Sequence, residues 1–116
     1  MLFGCYIRSI FKNLIMDSKL KKFELMEKIT RELDDLKNSQ TVIVQKIGKI
    51  EVDNMELGNK TLERILPEVH QNIADNLDKI AEILSSFEGS KDDFGKKNNV
   101  ESLREQEAIR EATEGK

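Results

Sequence analysis

His70 and Cys5 are the chain's only histidine and only cysteine, and they lie far apart in the sequence. Nucleophilic catalysis needs a second group within hydrogen-bond reach, and zinc needs at least three protein ligands. Glu68 and Asp75 flank His70, but carboxylates at this spacing on a charged helix are solvated surface. "GNKT" at 58–61 holds the residue types of a phosphate loop in the wrong order, with no glycine at the required spacing before it and no strand. "NKT" is formally a glycosylation acceptor but follows no secretory signal. "SKDDFGKK" at 90–97 has too few acids, wrongly spaced, for a calcium loop. No catalytic residue, metal or cofactor is expected, and the chain reads as a non-enzyme.

The elements that would position such groups also argue against a cleft. Of 116 residues, 38% are hydrophobic, 35% charged and only 5% aromatic, with no tryptophan. Aromatic side chains supply much of the buried area of a small domain. A chain this poor in them suits narrow apolar seams between helices.

The net charge of −3 is uneven: residues 1–30 carry six Lys/Arg against three Asp/Glu, and the remainder is acidic. Within 1–15, Phe3, Ile7, Ile10, Phe11 and Leu14 share one helical face opposite Arg8, Ser9, Lys12 and Asn13. This basic, acid-free segment is too short and too charged to span a bilayer, and it predicts either membrane-surface contact or a docking helix. Met16 opens a more ordinary start, so native translation of 1–15 is a further question. Lys19, Lys21, Lys22 and Lys28 would have to carry any nucleic-acid contact, but no stacking aromatic or helix-turn-helix pattern accompanies them. A single thiol cannot form an internal disulfide, and a reducing, cytoplasmic setting is the default, with peripheral membrane association as the alternative.

From Met26 the apolar residues repeat every 3.5 positions. Met26, Leu33, Gln40, Ile47 and Asn54 take heptad position a, and Ile29, Leu36, Ile43, Ile50 and Leu57 take d. In a parallel in-register pair, Glu32 would face Lys37 of the partner and Lys46 would face Glu51. Asn54 at a is either a buried amide meeting its own copy or the mark of a fraying end. Val42 and Val44 beside Ile43 widen the apolar face, as they would where further helices pack.

A second stripe follows: Leu66, Val69, Ile73, Leu77, Ile80, Leu84 and Phe87, flanked by Ile65 and Ile83. Its frame does not continue the first, because Leu57 and Leu66 are nine residues apart. Gly58, Asn59 and Pro67 mark the junction, with a helix start near Asn59 or Thr61 and a kink at Pro67. His70 falls at the edge of the stripe.

These patterns predict an all-α protein. A long heptad helix at about 18–57 leads through a junction at about 58–67 to a second amphipathic helix ending near 87. The two form a helical hairpin or a kinked coiled coil. Three regions result: a basic amphipathic segment at 1–16, a coiled-coil domain at 17–87, and a polar linker with a disordered or weakly helical tail at 88–116.

The run "LMEKITRELDDLKNSQTVIVQKIGKIE" (25–51), followed by "LDKIAEIL" (77–84), resembles short, mostly uncharacterised coiled-coil proteins of low-GC Gram-positive bacteria and their prophages. The resemblance carries over no functional residues. The expected function is a homo-oligomerising scaffold that binds protein partners. The alternatives are a membrane-surface protein anchored by 1–15 and a nucleic-acid-associated regulator.

Overall fold

The computed structural model describes the backbone of residues 2–114 and the side chains of residues 18–113. The faces expected within 1–15 lie outside the described side chains. Among the described residues the fold is all-α. Helix α1 runs Leu2–Leu57, α2 runs Lys60–Lys97 and α3 runs Val100–Glu114.

The turn between α1 and α2 is two residues long, and each has a physical reason to be there. Gly58 takes the left-handed conformation at φ 72°, and its N–H donates to the Asn54 carbonyl at 2.7 Å. That is the glycine-terminated end that closes many helices. Asn59 then caps α2: its Oδ1 accepts from the Leu62 N–H at 3.0 Å, and its carbonyl accepts from the Glu63 N–H at 3.0 Å. A Cβ at position 58 would meet nothing within 4 Å, so only the backbone resists substitution there. Gly58→Ala is expected to cost about 1 kcal/mol, read as a lower urea midpoint with an unchanged slope.

Helix α2 starts beside Asn59, as expected, and Pro67 lies inside it. The helix passes through the proline without interruption, so the junction is Gly58–Asn59 alone. A proline here deprives the Glu63 carbonyl of its helical partner. Both residues are exposed, so water can serve that carbonyl. The chain folds as two compact units, Thr30–Phe87 and a second formed by Met1–Ile29 with Glu88–Lys116.

In the Thr30–Phe87 unit, α1 and α2 pack as an antiparallel hairpin, and Ile47, Leu84 and Asn54 are its buried side chains. In the other unit, residues 88–97 extend α2, and residues 100–114, expected as disordered or weakly helical, form α3. A few contacts compensate for the polar composition. Phe94 stacks on Phe23 with ring centroids 6.4 Å apart and planes 11° from parallel. Gly95 makes room for this, since a Cβ there would sit 3.0 Å from Phe23 Cε2. Lys22 Nζ lies 5.3 Å from the Phe94 centroid, and the Arg104 guanidinium carbon lies 5.0 Å from that of Phe23. Arg104 also pairs with Glu27. Val100, the first residue of α3, is only 2% exposed, and Leu20 is buried as well. Between α2 and α3, Asn99 takes the left-handed conformation at φ 49°, which asparagine tolerates better than most residues.

Candidate interaction surface

The heptad frame and the hairpin can be compared row by row. Along α1 of the Thr30–Phe87 unit, Thr41 and Gly48 are half-buried, and the main shielded rows are Leu33, Gln40, Ile47 and Asn54, with Thr30, Lys37, Val44 and Glu51. These are rows a and e. Row d does not face α2: Leu36, Ile43, Ile50 and Leu57 are 38–73% exposed. Of the ten expected seam residues, Met26 and Ile29 belong to the other unit, where both are half-buried. Val44 turns inward and Val42 outward.

Along α2, Leu66, Ile73, Leu77, Ile80, Leu84 and Phe87 lie inward as the stripe predicted. Val69 does not; it is exposed, and His70 takes the inward position in its place. The imidazole meets α1 directly, with Nδ1 2.7 Å from Glu51 Oε1. Both side chains are about a third exposed. Glu51 therefore holds a residue of its own chain, and row e, which would flank a parallel two-stranded seam, is enclosed in the hairpin. No sequence pattern signals the pair, because its members lie on different helices and Glu51 already had a plausible partner in the coiled-coil frame.

Asn54 fits neither reading proposed for it. It is 7% exposed and fully engaged at the turn. Its Nδ2 donates to the Asn59 carbonyl at 3.1 Å and its Oδ1 accepts from the Asn59 N–H at 3.0 Å. The amide thus binds both polar groups of one backbone residue and locks the end of α1 to the start of α2. A depression of about 490 Å³ opens beside it, bordered by Glu51, Met55, Glu63, Leu66 and Pro67. Its carboxylates are engaged, Glu51 with His70 and Glu63 with Lys60 at 3.4 Å.

The exposed aliphatic rows share one side of the hairpin. Row d of α1 follows the inward row a by three positions. On α2, Leu62, Val69, Asn76 and Ile83 follow its inward row (Leu66, Ile73, Ile80) with the same offset. Antiparallel neighbours are related by a two-fold axis normal to the plane of the hairpin, so rows at equal offset lie on one side of it. That side presents Leu36, Ile43, Ile50, Leu57, Val69 and Ile83. The opposite side carries Asp34, Thr41 and Gly48 from α1 and Ala74 and Ala81 from α2, all polar or small. Met55 and Pro67, also exposed there, are apolar exceptions, as is Val52 at the outer edge.

No helix among the described residues is long and apolar enough to cross a membrane. No group of three or more His, Cys, Asp or Glu among them is placed to hold a metal ion. No family model, curated protein or solved structure matches the chain.

Proposed function

We propose that the chain is a non-enzymatic helical module that self-associates and offers helical surface to protein partners. One observation carries this reading: one side of the hairpin of Thr30–Phe87 exposes Leu36, Ile43, Ile50, Leu57, Val69 and Ile83, interrupted only by Asn76, while the other is mostly polar or small. Contiguous exposed aliphatic rows on a small protein mark an interaction surface or an aggregation liability, and a two-helix layer buries too little to satisfy both of its stripes. Ile47 and Leu84 are the buried aliphatic side chains of this unit.

Light scattering on the full chain tests the reading. The expected mass at tens of micromolar is two chains or more. A single-chain mass at that concentration overturns it.

A further inference from the structure

We infer that the occupant of the apolar side is a second copy of the same hairpin, laid face to face with α1 antiparallel to α1 of its partner and the two Gly58–Asn59 turns at opposite ends. This rests on the self-association just proposed and specifies its geometry. The product is a four-helix layer pair in which each copy supplies both helices of one layer.

Area supports a second copy. From Leu36 to Leu57 the face is about 30 Å long at 1.5 Å per residue. Two packed helices make it about 20 Å wide. Each copy thus offers roughly 600 Å², and the pair buries about 1,200 Å², which enters the range of stable protein interfaces.

The pattern of row d chooses the register. With Ile43 on the two-fold axis, Ile43 meets its own copy, and Leu36 of each chain meets Ile50 of the other. Every aliphatic of the row then lies opposite another.

Symmetry argues against the parallel alternative. A two-fold pairing of α1 with α1 in parallel sets the two α2 helices on opposite sides of the pair and leaves their apolar rows uncovered. The outer edge of the face carries Glu32, Ser39, Lys46 and Asp53. The antiparallel pairing places Lys46 beside Ser39 and leaves one acidic pair, Glu32 with Asp53, at each end. That exposed pair is screened by water and weighs less than a buried aliphatic layer.

Cross-linking tests the geometry on the full chain in a Cys5→Ser background. In the antiparallel register, position 32 of one copy approaches position 53 of the other. Within one chain these positions are 21 residues apart on a single helix, about 30 Å, beyond a short bis-maleimide linker. The Glu32→Cys/Asp53→Cys variant should give a two-chain product in majority yield, and Glu32→Cys alone should give almost none. Efficient linkage by Glu32→Cys alone means parallel pairing. It overturns this geometry while leaving self-association intact, as does a two-chain mass with no linkage in either variant. A single-chain mass by light scattering overturns both.

Discussion

Leu84→Ala should lower the unfolding free energy of the dissociated chain by about 2–5 kcal/mol, whereas Ile83→Ala, one residue away, should cost under about 1 kcal/mol. Leu84 is 6% exposed and faces α1; Ile83 is 54% exposed on the apolar side of the hairpin. Truncating a buried leucine loses its transfer free energy and leaves a cavity that the surroundings fill only in part. Small domains are stable by only about 5–15 kcal/mol in total, so the Leu84 variant should lose much of its helical signal well below the wild-type urea midpoint. Urea titrations followed by far-ultraviolet dichroism, at chain concentrations low enough to keep the protein monomeric, measure both. The neighbour's behaviour should change with concentration. Once the apolar sides are paired, Ile83→Ala also removes interface contact, and its effect should grow as the chain is concentrated. Equal costs for the two substitutions in the dilute chain would contradict the assignment of α2's inward face.

Much of this fold was legible because period is robust. The 3.5-residue repeat from Met26 and the stripe from Leu66 placed two helices, and Gly58–Asn59 placed the turn between them. Six of the seven stripe residues point inward. A sequence period names the apolar rows of a helix but not which neighbour each row meets. Rows a and d were read together as one seam, while the hairpin uses a and e and leaves d outward. What overrode the expectation at row e is polar: Glu51 has His70 across the hairpin, a pairing 19 positions apart in sequence that no local pattern encodes. "EGSKDDFGKK" is a poor helix by apolar content, yet α2 runs through it to Lys97, with Phe94 stacked on Phe23 and Gly95 making room for the ring, contacts distant in sequence that no local pattern encodes.

Asn54→Ala should cost about 2 kcal/mol, although in a heptad seam the same change at an a position would remove a buried amide and come close to neutral. The side chain is buried and its donor and its acceptor are both in use, each on the backbone of Asn59. Removing it forfeits two hydrogen bonds worth about 1 kcal/mol each. It also releases the constraint that holds Asn59 in place to cap α2. Asn54→Asp sharpens the test. Aspartate keeps the shape and the acceptor for the Asn59 N–H, but it turns a lone pair toward the Asn59 carbonyl where an N–H had been. It also adds a negative charge in the last turn of α1, where the helix dipole is already negative. Its cost should therefore equal or exceed that of alanine, near 2–3 kcal/mol, even though it is the closer match in volume. Urea midpoints for the two variants decide the matter. Losses under about 0.5 kcal/mol for both would mean that the turn holds without the amide, and that Asn54 is no more than the polar end of a fraying helix.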